Sequence, residues 1–287
     1  MTFSTEKIGS RGLLITCTTE MFSFPTAVYA IGCADYILLC DTYLGAAAMQ
    51  VVVSLLKDTF GDKPITVFNT HADYDHVWGN TFFKDSKICA HERTHTLMAE
   101  KNEAFRMALK DLACGENETY LPNEIFFDSF IFHNEEITLF HAPGHTADSS
   151  LLYDARDGVI FAGDMWEAPL PCVAWHHFDV YLRSLHSMIE MKPHIMLSAH
   201  SGRVTDEIVT HTLRYIEALA SGREPELNGI ERAVHMTNRK LIYASRIEEQ
   251  LRMNSQKYSP QLFTETVIRS LEMSYSDFCR TLDIFSL

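Results

Sequence analysis

The run HADYDH at residues 71–76 says most about the fold and function of this chain, and it follows a short apolar segment. The apolar segment has the composition of a buried strand, so the run begins where a strand ends. In extended backbone alternate side chains share a side, which places His71, Asp73 and Asp75 together and points His76 elsewhere. Loops held by strand ends are where binding groups are usually placed. The run therefore predicts a metal site, with ligands enough for two ions.

Three further candidate ligands occur in similar settings later in the chain. His145 lies in APGHT, Asp164 in FAGD and His200 in SAHSG, and each follows an apolar, strand-like stretch. Histidine and aspartate together suit borderline metals such as zinc, iron and manganese. Clustered acids without a cation would be costly to bury, which argues against unrelated loop residues.

Charge and composition restrict the partners. The formal net charge is -14, and no Lys- or Arg-rich block is present, so we expect no nucleic-acid partner and a small-molecule substrate instead. The apolar runs are too short to span a bilayer. The seven cysteines form no CxxC pair, and the first residues show no export signal, so we expect the cytoplasm.

The pattern along the chain predicts two regions. Residues 1–222 mix strand pairs with helices, without a steady strand-helix-strand rhythm, which favours an α/β sandwich. Residues 223–287 read as a helical extension that is a candidate oligomerisation element. Predicted strands are 27–31, 36–40, 65–69, 125–132, 136–141, 149–153, 158–163 and 195–198. Predicted helices are 46–60, 91–113 (a flank or lid), 180–190, 205–221, 237–253 and 260–272.

The ordered series HxDxDH, PGHT, GD and AHSG resembles the ligand set of the metallo-β-lactamase superfamily, whose usual first motif is HxHxDH. The resemblance extends over about residues 13 to 205 and includes the early Cys40-Asp41-Thr42. It implies a four-layer αββα sandwich with the site between the ends of its two sheets, and Asp41 orienting a ligand from behind. It also implies two divalent ions, the first held by His71, Asp73 and His145, the second by Asp75, His76 and His200, with Asp164 and a water or hydroxide between them.

Asp73 departs from the family pattern, in which a histidine is more usual at this position. With two divalent ions, the negative charges of Asp73, Asp75, Asp164 and a hydroxide would make the site neutral. A neutral site should polarise a carbonyl and acidify water less than the usual one. It should also accept harder ions more readily. We therefore expect zinc as the most favoured metal, with iron and manganese as alternatives.

The resemblance implies a hydrolase that attacks an ester-like bond of a small molecule, a thioester, lactone or related group, with Asp75 steering protons. A β-lactam is not expected as the physiological substrate, because no export signal is recognised. Two alternatives stay open: a di-iron redox or oxygen-handling protein, motivated by Asp73, and a metal-binding protein without turnover. His176 and His177, in the loop after Asp164, are candidate substrate contacts.

Overall fold

The computed structural model describes residues 1–22, 24–254, 258–283 and 285, and within these the strands form two sheets. The first sheet holds, in spatial order, β1 (Thr2–Ile8), β2 (Gly12–Thr18), β3 (Thr26–Gly32), β4 (Ile37–Cys40), β5 (Ile65–Asn69), β6 (Lys87–His91) and β7 (Glu124–Phe126). The second holds, from its far edge, β13 (Gly202–Arg203), β12 (Ile195–Ser198), β11 (Val159–Phe161), β10 (Ser150–Asp154), β9 (Ile137–His141) and β8 (Ser129–Phe132). The helices are α1 (Ala46–Phe60), α2 (Tyr74–Val77), α3 (Glu92–Ala108), α4 (Phe178–Glu190), α5 (Asp206–Ala220), α6 (Gly229–Asn254), α7 (Pro260–Ser270) and α8 (Tyr275–Asp283).

Alternation along the strands divides the apolar residues between separate layers. On β2, Leu13 and Ile15 pack with Met49 of α1, whereas Leu14 faces the second sheet. The outer face of the second sheet packs on α4 and α5, as Leu151 does. The layers therefore run helices, sheet, sheet, helices, and the predicted αββα sandwich is confirmed.

Several sequence-based assignments were wrong in detail. The run 71–76, expected to be extended, turns helical at Tyr74 in α2, so Asp75 groups with His76 and not with His71 and Asp73. The stretch 125–132, predicted as one strand, is β7 and β8, which belong to different sheets, because the chain crosses between the sheets at Phe127 and Asp128. Strands β1 and β2 were not predicted at all. In β1, most side chains are exposed, so the apolar alternation that marks a half-buried strand is missing.

The C-terminal extension consists of α6, α7 and α8, of which α8 was not predicted and α6 is longer than expected. Its helices share a small apolar cluster that includes Phe263 and Phe278. Helix α6 also contributes Ile242 to the layer beneath α4 and α5, and Glu248 pairs with Lys101 of α3. The extension thus contacts both helical layers. The boundary at residue 222 and the role in oligomerisation stay predictions.

Helix α3 packs along α7 and buries Met98 in the apolar cluster that contains Met49 of α1. Its role as a flank or a lid stays a prediction. Among the described residues, no helix combines the length and the apolar character needed to cross a bilayer.

Candidate metal centre

The candidate ligands come together because the strands that carry them end at one edge of the sandwich. His71 follows β5, Asp164 follows β11 and His200 follows β12, and the parallel pairs β4/β5 and β11/β12 align these ends. Backbone bonds join the two sheets there: Ser150 N donates to Thr70 O, and Ala27 N donates to Ala199 O, each at 2.8 Å.

Gly163 shows how closely the two sheets approach beside the site. Its φ of +52° is one that most side chains avoid, and a Cβ there would lie 2.9 Å from Oγ1 of Thr70. Glycine at this position lets the β11 end pass the β5 end and carries Asp164 to the ligands opposite.

Asp41, at the end of β4, fixes the ligands from behind. Its Oδ1 accepts from Thr70 N, and its Oδ2 accepts from Thr70 Oγ1 and His76 Nδ1, all at 2.8 Å. The backbone of Asp41 has a φ of 65°, uncommon for a residue other than glycine. Three hydrogen bonds to one fully buried carboxylate hold that conformation. The expectation that Asp41 orients a ligand is confirmed as geometry.

Each of the four histidines has its Nδ1 engaged by a group that fixes the ring. His145 Nδ1 donates to Cys172 O and His200 Nδ1 donates to Pro25 O, both at 2.9 Å, because a carbonyl can only accept. The Thr70 hydroxyl gives its proton to Asp41, so at 2.9 Å it accepts from His71 Nδ1. His76 Nδ1 donates to Asp41. In the neutral form, each of the four rings therefore carries its proton on Nδ1 and leaves the lone pair of Nε2 free, which is the form that binds metal.

The lone pairs converge on Asp164. Its Oδ2 lies 3.6 Å from His71 Nε2, 3.3 Å from His76 Nε2, 3.8 Å from His145 Nε2 and 3.2 Å from His200 Nε2. On one side Asp73 Oδ2 is 3.2 Å from His145 Nε2. On the other, Asp75 Oδ2 is 3.3 Å from His200 Nε2. These residues form two groups on either side of Asp164, and their assignment as ligands of two ions stays a prediction.

These residues fit metal ions. Among the described residues, Nε2 of His71, Nε2 of His76 and Oδ1 of Asp164 are buried without a hydrogen-bond partner. Lone pairs that face carboxylates repel unless a proton or a cation lies between them. His71, Asp73 and His145 form one possible ligand group, and Asp75, His76 and His200 form another. When the rings are neutral, their Nε2 atoms and the carboxylates direct acceptor atoms to the same point, which is the arrangement that a cation requires.

The same charges shift the pKa values of the ligands. Burial acts to lower the pKa of His76, but the carboxylates of Asp164, Asp75 and Asp41 raise it well above its ordinary value. His200 is likewise raised by Asp164 and Asp75, against burial. Burial opposes ionisation of Asp164, yet the neighbouring histidines hold its pKa well below the usual range. A metal ion must therefore displace protons from the ring nitrogens.

Glu167 is a site residue that the sequence did not indicate. It is buried, Oε2 accepts from Cys172 N at 2.7 Å, and Oε1 has no partner among the described residues. With Asp164 and His200 it forms a further possible ligand group. Burial and the charge of Asp164 raise its pKa. The one signal in the sequence is an acid three residues after Asp164, which alone carries no specificity.

The other sequence candidates occupy distinct places. All seven candidate ligands lie in the centre, and their binding of metal stays a prediction. Trp78 is fully buried and donates to Asn102 Oδ1, and Tyr74 packs on Trp78 and Phe105. His176 and His177 contact helix α6, and their contact with substrate stays a prediction.

The sequence profile of the Metallo-beta-lactamase superfamily matches residues 45–200, more than half of the chain, and the chain belongs to that superfamily. The match includes the first and last candidate ligands, His71 and His200. The resemblance inferred from the ligand series is confirmed. No curated protein matches the sequence.

Solved metallo-β-lactamases share the fold at low sequence identity. The DIM-1 enzyme superposes with a TM-score of 0.61 at 15% identity, covering 75% of this chain and 97% of its own. A metallo-β-lactamase from Hirschia baltica gives 0.57 at 19% identity, covering 79% and 100%. The mono-zinc form of FIM-1 from Pseudomonas aeruginosa gives 0.59 at 16%, covering 76% and 96%. These similarities establish the fold.

Proposed function

We propose that this chain is a metal-dependent hydrolase with a dinuclear centre, which cleaves an ester-like bond of a small molecule such as a thioester or lactone. One observation carries the proposal: four imidazole nitrogens converge on one buried carboxylate oxygen, Oδ2 of Asp164, with a further aspartate on each side. Membership in a superfamily of metal-dependent hydrolases supports the reaction class, whereas the ester-like substrate is our inference.

The residues of the centre would bind the metal ions, and Asp75 would also take part in the reaction. His71, Asp73 and His145 would hold one ion, Asp75, His76 and His200 the other, and Asp164 both. Two divalent ions in such a site acidify water toward neutrality and polarise a carbonyl oxygen. Zinc is the first choice for this set, and the solved mono-zinc form of FIM-1 is a precedent for partial occupancy in that protein.

Asp75 is the residue that we assign to proton transfer. Its side chain is buried, Thr26 Oγ1 donates to its Oδ2 at 3.2 Å, and His200 lies 3.3 Å from the same oxygen. Burial opposes ionisation, but His76 and His200 lower the pKa of Asp75, so it stays a proton acceptor at neutral pH. A carboxylate beside the reacting atoms can take a proton from water and pass it to a leaving group.

The experiment that tests the proposal joins metal analysis to a substrate panel. Protein purified without added metal should contain at least two ions per chain and hydrolyse at least one thioester, lactone or β-lactam. The variant Asp75→Asn should keep its fold and lose most of that activity, about 10²-fold or more, as expected for loss of a proton-transfer group. Two ions without hydrolysis across the panel would instead indicate a metal-binding protein without turnover.

A redox or oxygen-handling role is a second candidate, favoured by the number of carboxylates. Asp73 replaces the usual histidine, and Glu167 adds a fourth acid near Asp164 and His200. Oxygen-rich ligand sets suit iron and manganese better than imidazole-rich ones do. Iron in the purified protein, with a visible absorption band that changes on reduction, would support this candidate. Zinc alone, retained through chelator washes, would contradict it.

A further inference from the structure

Away from the dinuclear centre, a second group of potential metal ligands joins the loop after Asp164 to the C-terminal extension. Asn238 of α6 first fixes this loop: its Oδ1 accepts from Val173 N at 3.0 Å and its Nδ2 donates to Pro171 O at 2.9 Å. Ser245 and Glu249 follow Asn238 by two and three turns, so they share its helix face. That face meets His176 and His177.

The two histidines direct their Nε2 atoms to one carboxylate oxygen. Oε2 of Glu249 lies 2.8 Å from His176 Nε2 and 3.3 Å from His177 Nε2. The two rings are 4.3 Å apart and tilted by 35°. Neighbours in sequence usually point apart in extended backbone, so this shared direction is a local feature of the loop. The three ligand atoms lie within 4.8 Å of one another, close enough for a single ion.

The donor set is chemically suited to zinc. Two imidazoles and one carboxylate, with water in the fourth position, are a ligand combination that zinc uses in proteins. Ser245 Oγ lies 2.9 Å from His176 Nδ1, which orients the ring. The group is half-buried, so water can complete the coordination.

We propose that His176, His177 and Glu249 form a separate zinc site that fastens helix α6 to the loop of residues 171–177. The ion would stabilise the loop whose Cys172 carbonyl orients His145, so it would support the dinuclear centre from outside without touching the reaction. The site uses no ligand of that centre, and its existence does not depend on the proposed hydrolase function.

Zinc counting on a matched pair of variants tests the site. Glu249→Gln keeps the shape of the side chain but removes the ligand charge, and Glu217→Gln makes the same change at an exposed position of α5. After dialysis against buffered zinc, the wild type and Glu217→Gln should hold one zinc ion per chain more than Glu249→Gln. Equal zinc in all three proteins, or loss of the ion in both variants, would overturn the proposal.

A second measurement isolates the site from the dinuclear centre. In the double variant His71→Ala/Asp164→Ala, added zinc should still raise the melting temperature, because a ligand that binds only the folded state stabilises it. Adding Glu249→Gln to that background should abolish the rise. No zinc-dependent rise in the double variant, or a rise that survives Glu249→Gln, would contradict a third ion at this position.

Discussion

The two halves of the dinuclear centre differ in how firmly they are built. In the half around His76, the ligands are anchored to the interior: His76 to Asp41, Asp75 to Thr26 and His200 to a main-chain carbonyl. In the half around Asp73, His71 and His145 are anchored in the same way, but Asp73 is not. Its side chain is 32% exposed, and its polar partners within the described part of the chain are the ring nitrogens of His145 and His71.

This difference predicts that the two halves contribute differently to metal binding. Ligands locked by hydrogen bonds behind them keep their geometry when the metal changes or leaves. A ligand held by the metal alone can adjust to ions of different size and charge. We therefore expect the His76 half to set affinity and the Asp73 half to set metal preference.

Removing Asp164, the ligand that both halves share, should abolish metal binding in both halves and with it the difference between them. Asp164→Ala takes away the oxygen that faces all four histidines, so both halves should lose their ion. Activity on any substrate of the wild type should fall by about 10³-fold or more, since a catalytic ion contributes several kcal/mol. Metal content and initial rates should be measured beside Asp35→Ala, an exposed acid in the β3–β4 turn. Retention of both ions would break the scheme.

Changing Asp41, which anchors His76, should selectively weaken metal binding in the His76 half. Asparagine tolerates the left-handed backbone of residue 41, so Asp41→Asn changes charge and acceptors while keeping the chain path. We expect metal affinity in that half to fall roughly 10- to 100-fold, as for other groups that orient a metal ligand. Competition with a chromophoric chelator measures both affinities. An equal loss in both halves would show that Asp41 supports the site as a whole, through Thr70 as well as His76.

Acid should release metal, and the stripped protein should respond to pH in the opposite sense. The pKa values of His76, His145 and His200 are raised well above about 6.5 by carboxylates, against burial. In the stripped protein their protonation contributes stability that is full below about 6.5 and is lost as pH rises through the raised values. The difference in melting temperature between loaded and stripped protein should therefore grow with pH above 6.5. A constant difference from pH 6 to pH 9 would contradict the assigned ligands.

Restoring histidine, the usual family ligand, at position 73 should change which metal the site prefers more than it changes metal affinity. Asp73→His replaces an exposed oxygen ligand with an imidazole and adds one net positive charge to the site. We expect the ratio of zinc to iron taken up from an equimolar mixture to rise, because nitrogen ligands disfavour harder ions. Elemental analysis of the reconstituted protein gives the ratio. An unchanged ratio would show that Asp73 does not set the metal preference.

The ligands could be predicted from sequence because they are short motifs at strand ends, and the order of motifs is specific. The sandwich followed from the same resemblance and from the short apolar, β-rich runs that form β3, β4 and β5. In contrast, β1 is exposed at most positions and contains no such apolar run. The split of 125–132 into β7 and β8 depends on which sheet each half joins, and local pattern does not record that choice.

The remaining site residues depend on contacts between distant parts of the chain. Glu167 becomes notable only because its loop folds back so that Oε2 meets Cys172 N. Glu249 meets His176 only because α6 crosses the loop of residues 171–177. Neither pairing leaves a spacing that could be read in one sequence. Long-range packing of the extension, rather than any motif, produces them.

Counting ions per chain by native mass spectrometry, in the wild type and in one variant of each half, tests the central claim most directly. The measurement is best made on Glu249→Gln as the parent, so that a third ion does not enter the count. The account predicts two ions in that parent, one after His145→Ala and one after His200→Ala. The same number of ions in all three proteins would contradict a dinuclear centre built from these ligands.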